Sequence, residues 1–125
     1  MNYDGPERRR TPRIIGRFIV SYRIIDEADD VDITQTKNLS LGGMLLTTNR
    51  MFNPGINLAL EIRLPFDPYP IMLIGRVIES SEIVRDMIYD TRIEFTSIDD
   101  RHKKIISETV DYFIGKEKEI NNEKD

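Results

Sequence analysis

From Arg17 onward the chain falls into short runs in which apolar and polar residues alternate. Phe18, Val20, Tyr22 and Ile24 share one face, with Ile19, Ser21 and Arg23 on the other. That is the period-two pattern of a strand with one buried side. Asp26-Glu27-Ala28-Asp29-Asp30 reads as an acidic turn. Val31 to Lys37 resumes strand character, Asn38 to Gly43 interrupts it, and Met44 to Thr48 continues beyond. Asn53-Pro54-Gly55 is a turn signal, proline presetting one central position and glycine accepting positive φ at the next. The cleanest alternation follows, with Ile56, Leu58, Leu60, Ile62 and Leu64 set against Asn57, Ala59, Glu61 and Arg63. Prolines between Pro65 and Pro70 end it, since proline supplies no ladder donor. Further strands are expected over Ile71–Glu79, with Gly75 as a bulge or close-approach point, and over Met87–Phe95.

Ile106, Val110, Phe113 and Ile114 then recur at helical spacing, widened by Ile105 and Thr109. Ser97 is the expected N-cap and Gly115 the expected C-cap. Residues 116–125 are nearly all charged or Asn and read as a tail that frays or extends as solvated helix. About six short strands, one terminal helix and no βαβ alternation predict a mainly β domain. The architecture would be an antiparallel barrel or sandwich plugged by the helix.

The length of 125 residues suits one domain with its own core. The absence of cysteine excludes disulfides and thiolate metal sites. No run approaches the roughly 20 apolar residues that cross a bilayer, and residues 1–17 are polar and basic rather than signal-like. The expectation is a soluble, cytoplasmic protein with no membrane insertion. Charge changes the picture more. Arg8, Arg9, Arg10, Arg13 and Arg17 fall within residues 8–17 without an acid among them, in a chain whose formal net charge is −4, so the remainder carries −9. With Gly5-Pro6 and Pro12 opposing regular structure, residues 1–13 read as a flexible basic arm ahead of a domain over 14–115 and the tail over 116–125. A solvated basic tail has the same composition. Arginine nevertheless offers a planar fork that grips phosphate and stacks on bases, so a phosphate-bearing purine is a natural partner.

Catalysis finds no support in the residues. His102 is a lone histidine at the expected helix start, with no second histidine or cysteine to share a metal. Ser40 has no evident base. Asp29-Asp30 and Asp99-Asp100 are adjacent pairs whose side chains diverge. No phosphate-binding glycine loop is present. No enzyme activity, cofactor or metal is expected. Asn38-x-Ser40-x-x-Gly43 has a different logic. At the end of a strand, residues 38 and 40 share a face, and an amide beside a hydroxyl can address the polar edge of a base. Gly42 and Gly43 permit a tight turn and close backbone approach. Taken alone, the same residues would serve an ordinary hairpin turn.

Taken in order, Arg9-x-x-x-Arg13 and Asn38-x-Ser40-x-x-Gly43 resemble the paired signature of the PilZ family, RxxxR followed by [D/N]xSxxG. A second RxxxR, Arg13 to Arg17, abuts the first strand and is set aside. Weaker matches are Pro54-Gly55 before a strand, Gly75-x-Val77 within one, and Ile93-Glu94-Phe95 before the helix. The resemblance implies a six-stranded antiparallel, Greek-key-type β-barrel with a C-terminal α-helix, and a bacterial receptor for cyclic di-GMP. It implies that Arg9 and Arg13 hold phosphate and stack on guanine, that Asn38 and Ser40 contact the guanine edge, and that Gly43 shapes the turn. Arg8 occupies the position that in similar proteins bears on whether one or two ligand molecules bind, and two stacked molecules are expected here. The signal would pass by conformational change to an unidentified protein partner; monomer and dimer both remain open. Arg92 departs from the glycine that similar proteins carry before the last hydrophobic-x-Phe, and is expected to affect local packing without touching either motif. The alternative is a PilZ-like protein-interaction module that does not sense nucleotide. A barrel binding nucleic-acid polymers is disfavoured, because outside the arm the chain is acidic. Phe66 and Tyr69 could form an aromatic partner contact or pack on the barrel edge.

Overall fold

In the computed structural model, which describes residues 13–27 and 30–124 with side chains to 117, the alternating runs form strands that close on themselves. The strands are β1 (Arg13–Ile15), β2 (Ile19–Ile24), β3 (Asp32–Ser40), β4 (Gly43–Thr48), β5 (Asn57–Ile62), β6 (Ile71–Val84) and β7 (Ile88–Ser97), followed by helix α1 (Asp100–Lys124). Antiparallel pairing runs β2–β3–β4–β7–β6–β5 and returns to β2, a closed six-stranded barrel. β1 adds no seventh stave. It lies along the same edge of β3 as β2, pairing Arg13 with Ser40 and Ile15 with Asn38 where β2 pairs Ile19 with Gln35. The barrel and single helix agree with the expected fold. Arg13, placed in the arm by the sequence, belongs instead to this first strand.

The break between β1 and β2 is joined by one buried side chain. Thr36 Oγ1 donates to the Gly16 carbonyl and accepts the Phe18 amide at 3.0 Å, while the Thr36 amide donates to the Phe18 carbonyl at 2.9 Å. Immediately after it β3 carries a bulge at Lys37. Alternation places Thr36 inward, and the extra residue puts both Lys37 and Asn38 outward before Leu39 turns in again. A second bulge in β6 sets Ile78 and Glu79 both outward after buried Val77.

Inward residues of every strand fill the barrel, among them Ile14, Val20, Leu39, Leu46, Leu58, Ile62, Ile71 and Ile93. α1 covers the end beside β1 and β3 with Ile106 and Val110. Phe113 meets Phe18 edge-on at 5.6 Å, and Phe66 packs on Tyr112 with ring centroids 4.8 Å apart. Phe66 is thus seated against the helix while Tyr69 stays exposed.

Several boundaries differ from the sequence pattern. β3 runs on through Asn38 to Ser40, where an interruption was expected, because β1 and β4 both pair with it there. β7 runs on through Ser97, and Asp99 caps α1 in its place, its carboxylate accepting the His102 amide at 2.8 Å. Gly115 does not end the helix; a Cβ there would meet nothing, and the Lys- and Glu-rich continuation favours helix, so α1 reaches Lys124. β6 continues past Glu79 to Val84, because its hairpin with β7 projects beyond the barrel with both faces in solvent and so lacks one-sided burial.

Replacing Thr36 by Val keeps the shape and removes both hydroxyl bonds, leaving the buried Phe18 amide unpaired. Urea unfolding is expected to show a loss of about 1–3 kcal/mol. Buried Tyr22, edge-on to Phe52, has its phenol pushed up to about 12 by burial, with Asp32 adding to the effect. The folded state keeps this proton while the unfolded chain releases it near 10. Tyr22 therefore contributes stability that is present below pH 10 and lost as the pH rises toward 12. Melting curves across that window should fall for the parent and flatten for Tyr22→Phe.

Candidate functional site

Beside the turn between β3 and β4 the outer wall of the barrel is concave. Arg13, Asn38, Ser40, Gly42, Gly43, Ile78, Arg92 and Glu94 are among the residues lining an open cleft of about 140 Å³. Register explains the convergence. Ile15, Asn38, Leu45, Arg92 and Glu79 stand opposite one another in turn across β1, β3, β4, β7 and β6. In the neighbouring row Arg13 pairs with Ser40, Gly43 with Glu94, and Glu94 in turn with Arg76. The β3 bulge is what turns Asn38 to this outer face.

Each expected residue takes a distinct place. Ser40 is a turn hub: its Oγ accepts the amides of Gly42 and Gly43, each at 3.2 Å, and donates to the Gly43 carbonyl at 3.3 Å. Its single proton and both lone pairs are thereby engaged. Gly43 lies so close to β7 that a Cβ would collide with the Ile93 carbonyl oxygen. Asn38 is half-buried, and its side-chain amide makes no hydrogen bond among the described residues. Arg13 lines the cleft from β1. Arg8 and Arg9 lie outside the described residues.

Two residues enter that sequence reasoning did not place here. Ile78, turned outward by the β6 bulge, supplies an apolar wall. Arg92, expected to touch neither motif, lines the same cleft as Asn38 and Ser40, because the β4–β7 ladder sets it opposite Leu45. Its signal in the sequence was the arginine standing where similar proteins carry glycine. Around it the charges are largely paired: Glu94 accepts from Arg76 at 2.7 Å, and Lys37 lies 2.6 Å from Asp90. Among the described residues no cluster suits a metal ion. His102 belongs to the helix cap, its Nδ1 3.5 Å from Asp99 and 3.3 Å from the Met72 carbonyl. The arrangement can address a base edge and an anion; it contains no nucleophile with a base.

A family model described as PilZ domain matches residues 7–111. No curated protein matches the chain. Among solved structures, the inhibitor of motility (MotI/DgrA) of Bacillus subtilis is similar with a TM-score of 0.72 at 20% identity, over 90% of this chain and 52% of that one. The PilZ domain of YcgR from Escherichia coli, solved with c-di-GMP, has a TM-score of 0.68 at 15% identity, over 93% of this chain and 98% of that one. The K. pneumonia MrkH–c-di-GMP complex has a TM-score of 0.64 at 18% identity, over 91% and 56%. The chain thus spans about half of MotI and MrkH and nearly all of the YcgR domain. At these identities the likeness is one of fold. Among the described residues no helix is long and apolar enough to cross a membrane.

Ser40→Ala strands two turn amides and should lower stability by about 1 kcal/mol in thermal or urea unfolding. Gly43→Ala forces β4 from β7 and should cost more, about 1–3 kcal/mol, with the parent's stability approached again only if the ladder shifts.

Proposed function

Because the chain belongs to the PilZ domain family, we propose that it is a receptor for cyclic di-GMP with no catalytic act. The observation that supports this most is the meeting of Arg13, Asn38, Ser40 and Gly43, drawn from two separate motifs, at one cleft. Two of the similar structures are of proteins solved with this dinucleotide. Arg13 holds a ligand phosphate from the β1 side, joined by Arg9 from the preceding segment, and their guanidinium planes cover the bases. Asn38 contributes the free donor and acceptor of its amide to a guanine edge. Ser40 keeps the Gly42–Gly43 turn at the height a base requires, and touches the guanine edge by exchanging one of its turn bonds. Gly43 lets that turn lie flat on β7. Arg8 covers a second stacked purine, giving two ligands per protomer. Ordering the basic segment over the cleft presents a changed surface to a protein partner.

A PilZ-like interaction module without a ligand would gain nothing from a half-buried, unpartnered amide beside two cleft arginines. That feature favours the receptor.

Calorimetry is expected to show binding of cyclic di-GMP and far weaker binding of GMP and GTP; no heat or thermal shift with saturating cyclic di-GMP would overturn the receptor. Salt should weaken binding only modestly, in contrast to the steep loss of a polynucleotide binder. Arg13→Ala should cost about 1.5–3 kcal/mol of binding, the scale of a hydrogen bond to a charged group. A stoichiometry of one would exclude the stacked pair.

A further inference from the structure

Arg92 lies at the far side of the cleft from Arg13. Between Asn38 on β3 and Arg92 on β7 stands only β4, with Leu45 in register with both. Two strand spacings put their backbones about 10 Å apart. A purine laid over Leu45, with Ile78 at its side, would show one edge to the Asn38 amide and another to the Arg92 guanidinium. Of the charged groups nearby, Glu94 is held by Arg76 and Asp90 by Lys37. The Arg92 guanidinium makes no hydrogen bond or ion pair among the described residues. It is an exposed cation in a cleft, with its donor fork unused.

Resting on the receptor reading above, we propose that Arg92 is a specificity-determining residue that donates two parallel hydrogen bonds to O6 and N7 of a bound guanine. Two acceptors side by side match a guanidinium fork. Adenine presents an amino donor where guanine has O6, and cannot accept the pair. The surroundings favour a base over a phosphate at this position. Glu79 stands directly across from Arg92, and Asp90 and Glu94 flank it on β7. Three carboxylates, two of them already matched by Lys37 and Arg76, leave Arg92 and Glu79 nearly balanced. A neutral base edge enters that field without penalty, whereas a phosphate would find the Arg92 charge already offset by Glu79 and gain little from it. The phosphate contacts belong to the opposite side, where Arg13 enters from β1.

The test compares cyclic di-GMP with its 7-deaza analogue, which lacks the N7 acceptor, on the parent, on Arg92→Ala, and on Arg85→Ala at the exposed hairpin tip as a control of equal charge change. The parent should bind the analogue several-fold to tens of fold more weakly. Arg92→Ala should bind cyclic di-GMP about ten- to a hundred-fold more weakly than the parent and no longer distinguish the two ligands. Arg85→Ala should behave as the parent. An Arg92→Ala variant that keeps the parent's preference but loses affinity for both ligands equally marks a phosphate contact and overturns the assignment. Unchanged binding overturns it as well. A parent that binds neither dinucleotide overturns the receptor reading, which is a separate result. Arg92 is exposed, so unchanged melting of the variant checks that the fold is intact.

Discussion

Strand parity is the constraint on which the site depends. In a barrel whose inner face is packed, each residue of a regular strand must point in or out, and shifting by one residue inverts all that follow. β3 escapes this once. Thr36 must face inward, where its hydroxyl closes the gap left by Gly16 and Phe18 between β1 and β2. Regular alternation would then bury Asn38 and expose Leu39. The extra residue at Lys37 reverses both, keeping Leu39 in the core and bringing Asn38 to the surface beside Arg13. A single structural device thus reconciles the packing of the barrel with the display of the site. The outward step at Ile78 does the same on the opposite wall of the cleft.

How much of this could be read along the chain follows from the same constraint. The strands with one buried face were legible: β5 and the start of β6 alternate without interruption, and β2 lies within its expected run. The bulges were not, because Lys37 is one polar residue among others and Ile78 one apolar residue among others; parity is lost only when partners are counted across the ladder. β1 is three residues long and follows Pro12, so it carried no period to detect. The β6–β7 extension is exposed on both faces, with Ile83, Val84, Met87 and Ile88 in solvent, and alternation has no meaning there. At the helix start, Ser97 and Asp99 are both good caps, and the choice fell to where β7 stops pairing. Arg92 is the instructive case. Its departure from the usual glycine was visible, but only the β4–β7 register carries it into the cleft with Asn38.

The cleft also shows how an acidic chain can keep one part of its surface close to neutral. Carboxylates are not absent from its rim; they are occupied. Arg76 takes Glu94 on the neighbouring strand, and Lys37 reaches over β4 to take Asp90. Exposed pairs like these add little to stability. Their effect here is local neutrality, which leaves the uncommitted polar groups, the Asn38 amide and the Arg92 guanidinium, to set what the cleft prefers. The turn is shaped from within, since Ser40 holds both glycine amides in place.

Helix α1 rests its first half on β1 and β3, the two strands that carry Arg13, Asn38 and Ser40. Its 25 residues make a rod about 37 Å long. The last described side chain of its core-facing stripe is Ile114, about 15 Å along the axis from the helix end at Lys124. Such a rod is a pointer on a pivot. A tilt of a few degrees about its first half, too small to disturb a packed core, becomes a displacement of an ångström or more at its far end. The corner that holds the motifs and the base of the rod are the same pair of strands, so the geometry magnifies any change at one into a movement at the other.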